Sequence, residues 1–105
     1  MTTLSAQTTS NREEAADYGG VVACLNSDWR VIRCRDDLQW ILQVRSGWRD
    51  GRPRFRSVRY HRDREALVRS VHTLTGPAEA AAVAILEALP SRFVEDAAHR
   101  SGENA

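Results

Sequence analysis

Arginine is the residue type most able to do chemistry in this chain. All fifteen fixed cations are arginines and there is no lysine. Twelve of the fifteen fall between residues 29 and 69, opposed by five acids, a net of +7. The rest of the chain holds three arginines and nine acids, which brings the total back to +1. A guanidinium is planar, always charged and able to grip a phosphate with two parallel N–H donors, so a cluster of them suits polyanion binding. A GC-rich coding bias would produce the same preference for arginine without any binding role. Three tryptophans, Trp29, Trp40 and Trp48, lie in the same window. An exposed indole can stack on bases or anchor an interface, whereas a buried one only packs. Trp48 lies nearest a turn and is the one expected to be exposed.

Catalytic and metal chemistry is poorly represented. His61, His72 and His99 follow no metal-ligand spacing. Cys24 and Cys34 lack the neighbours of a zinc motif and read as small core residues in a reducing cytosol. His61-Arg62-Asp63 matches a protein-kinase triplet, but no glycine-rich loop accompanies it and the chain is far too short for a kinase. There is no P-loop and no dinucleotide fingerprint. The expectation is a protein that is not an enzyme, with no cofactor and no metal.

The elements that must position the arginines can be read from periodicity and turns. Residues 1–9 and the tail from 100 on are expected to be disordered, leaving one α+β domain over 10–99. Ser10-Asn11-Arg12-Glu13 fits a capping box, which predicts a helix of about two turns ending at Gly19-Gly20. Val21 to Leu25 is a fourth strand or a buried connector. Three strands follow: Trp29 to Arg35, Leu38 to about Arg49 with a bulge at Gly47 allowed, and Arg52 to His61. Asp36-Asp37 and Asp50-Gly51 are the two-residue turns between them. Pro53 cannot donate to a ladder, which makes the last strand an edge and its predecessor the centre of a three-stranded antiparallel meander.

Two-residue turns fix the register, and alternation then sorts the side chains. Trp29, Val31, Trp40, Leu42, Val44, Trp48 and Phe55, with Arg33 and Arg59, share the face expected to be core. Ile32, Cys34, Ile41, Val58 and Tyr60, with Arg30, Arg45, Arg54, Arg56, Gln39 and Gln43, share the other, expected to be an Arg-lined surface. Asp63 is placed to cap a helix whose Leu67, Val71 and Leu74 form an apolar stripe. Gly76-Pro77 separates it from a second, alanine-rich helix with Ala82, Val83, Leu86 and Leu89 on one side, and Ser91 is placed to cap a last short helix containing Phe93 and Val94. Residues expected to bind nucleic acid or a protein partner are Arg30, Arg45, Trp48, Arg54, Arg56, Arg59, Tyr60 and Arg62.

The order strand-strand-strand-helix, with FRSVRYHRDREALVRSV at the last strand and helix, resembles the arm-site DNA-binding domain of phage tyrosine recombinases. That resemblance implies a basic three-stranded sheet entering DNA with a helix behind it. It covers residues 29–74 and brings no catalytic domain with it. WRVIRCRDDLQWILQ also resembles small uncharacterised proteins of alphaproteobacterial mobile elements and prophages. This second likeness implies a protein that binds and inhibits or adapts a host protein, as anti-CRISPR proteins do. No run approaches the length of a membrane span, and the N-terminus has no basic segment followed by an apolar one, so a cytoplasmic protein is expected. A homodimer is compatible with all of this.

Overall fold

The fold is described from a computed structural model covering residues 10–94. Four strands, β1 (Val21–Cys24), β2 (Trp29–Arg33), β3 (Trp40–Arg49) and β4 (Arg52–His61), form one antiparallel sheet in the order β1-β2-β3-β4. Two helices follow, α1 (Arg64–Leu74) and α2 (Ala80–Glu87). The fold is thus α+β, the expected meander extended by β1.

Turn chemistry accounts for the order. Asn26 Oδ1 accepts from the amides of Asp28 and Trp29, both at 2.9 Å, and closes the β1–β2 loop as an Asx turn. Asn26 Nδ2 donates to the carbonyls of Thr75 and Pro77 at 3.0 Å, tying that loop to the α1–α2 link. Asp37 takes φ 60° in the β2–β3 turn. Asp50 and Gly51 take φ 55° and 79°, the two positive values a type I′ turn demands.

The β2–β3 register runs from Trp29↔Val44 to Arg33↔Trp40, as two-residue turns dictate. The β3–β4 register obeys the same rule at both ends, Trp40↔His61 and Arg49↔Arg52, but not between them. From Gln43↔Ser57 to Arg45↔Phe55 the pairing is shifted by one residue, by irregularities between Leu42 and Gln43 and between Arg45 and Gly47. The second lies where a bulge was allowed; the first, which places an extra residue in β4, was not expected. Each bulge reverses the side-chain alternation and together they restore it. Phe55 and Trp48 therefore lie on the face opposite the one expected. The same register turns Arg54 and Arg56 toward the helix side, although the Arg54 guanidinium still reaches Glu14 of the N-terminal segment.

On the helix side, Val31, Trp40 and Leu42 pack against Leu67 and Val71 of α1 and Ala82 and Leu86 of α2. Phe93 closes this core edge-on to Trp40, with ring centroids 5.2 Å apart. Each large side chain so buried contributes about 1.5–3 kcal/mol before entropy is counted. Asp63 caps α1, its carboxylate accepting from the Glu65 amide at 3.1 Å. Helix α2 starts later than expected, with Glu79 rather than Pro77 at its boundary. Among the described residues, the expected helix after Pro90 is absent. The chain instead runs back along the β4–α1 junction, where the Phe93 amide donates to the Arg62 carbonyl at 2.7 Å. The expected disordered tails lie outside the described residues.

The other face departs most from expectation. Residues 10–20 form no helix. They cross the sheet as a series of turns and cover a second apolar cluster of Tyr18, Ile32, Cys34 and Ile41. Ser10 Oγ accepts from the Arg12 amide at 2.9 Å rather than from Glu13, and the Ser10 amide donates to the Asp17 carbonyl. The reason is Arg30, which is only 3% exposed. Its Nη2 donates to the carbonyls of Glu13 (2.9 Å) and Ala15 (2.8 Å), its Nη1 to that of Ala16 (3.3 Å) and its Nε to Gln43 Oε1 (2.8 Å). A helix would commit those carbonyls to its own amides; a buried guanidinium needs them turned inward. The Phe55 ring, brought over by the bulges, lies 3.8 Å beneath the same guanidinium. Tyr18 completes the strap, its hydroxyl donating to the Arg33 carbonyl at 2.7 Å, with Gly20 so close that a Cβ there would lie 2.7 Å from the Tyr18 ring.

Both cysteines are free thiols; Cys34 is buried as expected but Cys24 is exposed.

Candidate nucleic-acid interface

β2 pairs with β3 only as far as Val44, so β3 and β4 continue from there as a two-stranded ribbon ending at Asp50-Gly51. Its five arginines are Arg45, Arg49, Arg52, Arg54 and Arg56, and Asp50 at the tip is its one acid. Trp48 is 65% exposed there, as expected, with the Arg45 guanidinium 5.5 Å from its ring.

The structure separates the remaining expected residues. Arg30 cannot face a partner: it is buried and its donors are engaged, because the strap lies over the face where it was expected to be open. Arg45 pairs with Asp28 at 2.8 Å. Arg54 meets Glu14 and Arg52 meets Asp17, each at 3.5 Å, so the acids of the strap flank one side of the ribbon. Such loose, partly exposed pairs are worth about 0–1 kcal/mol, and an incoming phosphate can displace them. Arg56 is exposed and has no acidic partner among the described residues. Arg59 and Arg62 are exposed and donate only to the carbonyls of Val58 and Leu38. Tyr60 is exposed on the strap face, away from Arg56 and Arg59.

Sequence reasoning passed over one grouping. Between β4 and α1 lies a cleft of about 250 Å³ lined by Arg59, His61, Ala66, Arg69, Ser70, Thr73 and Leu74. His61 Nε2 and Ser70 Oγ are 2.8 Å apart in it. Burial pushes the His61 imidazole below its ordinary pKa; the neighbouring Arg59 and Arg69 cations add to this and Asp63 opposes it. The signal was the small-residue flank Ala66, Ser70 and Thr73, spaced four and three apart, which lets a helix approach a strand and leave a groove. Ser70 lies within α1, where the backbone amides that would stabilise an oxyanion are held by the helix, so this pair lacks the setting of a nucleophile and its base. Among the described residues, no three His, Cys, Asp or Glu side chains group as a metal site.

Comparison of the chain with protein families, curated proteins and solved structures finds no match. Among the described residues, no helix is long and apolar enough to cross a membrane.

Proposed function

We propose that this protein is a non-enzymatic nucleic-acid-binding module that docks through the β3–β4 ribbon, chiefly on phosphates. The observation that carries this reading is the ribbon itself, with five arginines and a mostly exposed Trp48 on a projection of only two strands. A two-stranded ribbon is narrow enough to enter a major groove, and arginines beside an exposed indole also suit a single strand, where stacking is tolerant of sequence. Free thiols at both cysteines fit a cytoplasmic setting.

The test is fluorescence anisotropy of labelled duplex DNA, single-stranded DNA and RNA across a salt series. Four phosphate contacts would give a log–log slope of about −3 to −4, because each neutralised phosphate releases condensed counterions. Replacing Arg54 and Arg56 together should weaken binding and flatten that slope by about 2. No binding to any of the three at low salt would end the reading.

A second reading, docking on a host protein, draws on Leu38 and Tyr60, both about half exposed beside a shallow cleft that also includes Ile41. A pull-down performed with nuclease, recovering one stoichiometric protein, would favour it over the first.

A further inference from the structure

We infer that the cleft between β4 and α1 is a site for a single phosphate group, gripped by the Arg59 and Arg69 guanidiniums with the Ser70 hydroxyl as a third donor. On the reading above, that group is a backbone phosphate of the bound nucleic acid; a free phosphate is the other source of the same chemistry.

The residue types and their placement support this. Arg59 comes from a strand and Arg69 from the helix packed on it, so the two cations converge from different elements on one groove. Arg69 has no acidic partner among the described residues, and Arg59 spends one donor on its neighbour's carbonyl and keeps the rest. Two such cations around a concavity are held apart by folding and await a counter-charge, a setting in which charge-assisted bonds to an anion are strong. Ser70 is fixed by His61, and Thr73 brings a second hydroxyl to the same wall.

His61 makes the site pH-sensitive. Its charged neighbours are Arg59 on its own strand, Arg69 on α1 and Asp63 at the cap; the strand on its other side contributes the uncharged Trp40 as its partner. Burial first, and then two cations against one acid, hold the free imidazole below its ordinary pKa. An anion in the cleft offsets the two cations and raises it. By linkage, lowering the pH then tightens the anion. The hydroxyl takes part as well. Both nitrogens of an imidazolium carry hydrogen, so Nε2 then donates to Ser70 Oγ, and the Ser70 hydroxyl hydrogen is left to point into the cleft.

The experiment uses the full chain and sulfate, whose charge is constant between pH 5 and 8, followed by NMR of the His61 imidazole. Saturable shifts at His61, an upward move of its titration midpoint in sulfate, and tighter sulfate binding at pH 5.5 than at pH 7.5 are expected. Arg69→Gln, an exposed change that leaves the fold intact, should weaken sulfate by about tenfold or more. The ribbon variant Arg49→Gln/Arg56→Gln should leave sulfate binding unchanged. An oligonucleotide arm identifies the source: Arg69→Gln should weaken it several-fold. If sulfate leaves His61 unmoved, the site is refuted even where oligonucleotides bind. If sulfate binds through Arg69 but no oligonucleotide does, the site stands with free phosphate as its ligand, and the nucleic-acid reading falls.

Discussion

Replacing Arg30 with alanine tests whether a buried cation, rather than local sequence, shapes the N-terminal strap. Its guanidinium makes four hydrogen bonds, three between 2.8 and 2.9 Å and one at 3.3 Å, and rests on Phe55. Each acceptor left buried without a donor costs about 1–3 kcal/mol. The contact with Phe55 adds about 1–2 kcal/mol in a desolvated setting. Against this, the guanidinium's own desolvation, several kcal/mol, disappears with the side chain. The Glu13, Ala15 and Ala16 carbonyls can also turn to water once the strap lifts. The net loss should be about 2–4 kcal/mol, a large share of the ~5–15 kcal/mol that holds a domain of this kind together. Urea unfolding followed by tryptophan fluorescence measures it. Hydrogen exchange locates it, because the Phe55 amide donates to the Glu14 carbonyl at 2.9 Å and the Arg35 amide to the Glu13 carboxylate at 2.7 Å. Both amides should exchange faster than those of the β2–β3 ladder. Arg30→Lys keeps the charge but lacks the fork of donors, and should recover less than half of the loss. A variant within 0.5 kcal/mol of the parent, with protection at Phe55 unchanged, would refute the idea that Arg30 holds the strap.

Three further perturbations follow from the same structure. The Tyr18 phenol is pushed up to about 12, mainly by burial and then by the nearby Glu13, from an unfolded value near 10; between those values only the native state keeps its proton, so stability is complete below pH 10 and is lost as pH rises toward 12, a slope that Tyr18→Phe should abolish at a cost of about 1 kcal/mol at neutral pH. Phe93→Ala removes the edge contact on Trp40 and the ring beneath the Arg33 guanidinium, and should cost about 3–5 kcal/mol in thermal or urea unfolding while leaving the ribbon's exposed Trp48 unaffected. Glu14→Gln with Asp17→Asn strips the strap of the acids that meet Arg54 and Arg52; oligonucleotide binding should tighten severalfold at low salt and the advantage should vanish above ~0.3 M salt.

Much of the sheet was legible because its turns are chemically specific. Asp50-Gly51 admits essentially one hairpin geometry, and that alone fixes Arg49 opposite Arg52. The apolar stripe of α1 and the exposure of Trp48 beside the turn follow from period and position. Of the two bulges, the one at Gly47 was legible from its glycine and the one in β4 was not. An extra residue in β4 has no compositional signature, yet it moved Phe55 and the paired arginines across the sheet. Arg30 was misplaced for a different reason: an arginine on a strand is ordinarily a surface residue, and only the strap makes its burial tolerable. The strap was misread in turn, because Ser10 to Glu13 satisfies a local capping pattern that the demand of a buried cation outweighs.

Those displacements decide from which side a polyanion can arrive. The ribbon carries five arginines and one acid, while residues 10–20 carry three acids and one arginine. The strap lies close enough to Arg52 and Arg54 for ion pairs, well inside the ~8 Å over which charges are felt at physiological salt. Arg52 and Arg54 are therefore largely neutralised. On the helix side, among the described residues, no ion pair engages Arg56, Arg59 or Arg69, and Arg56 leads along β4 to Arg59 and across to Arg69 on α1. Had β4 run without its bulge, Arg56 too would have faced the strap and its carboxylates. One inserted residue thus keeps Arg56 clear of the strap acids, and it places the β4–α1 cleft, rather than the face first expected to be open, at the far end of the approach.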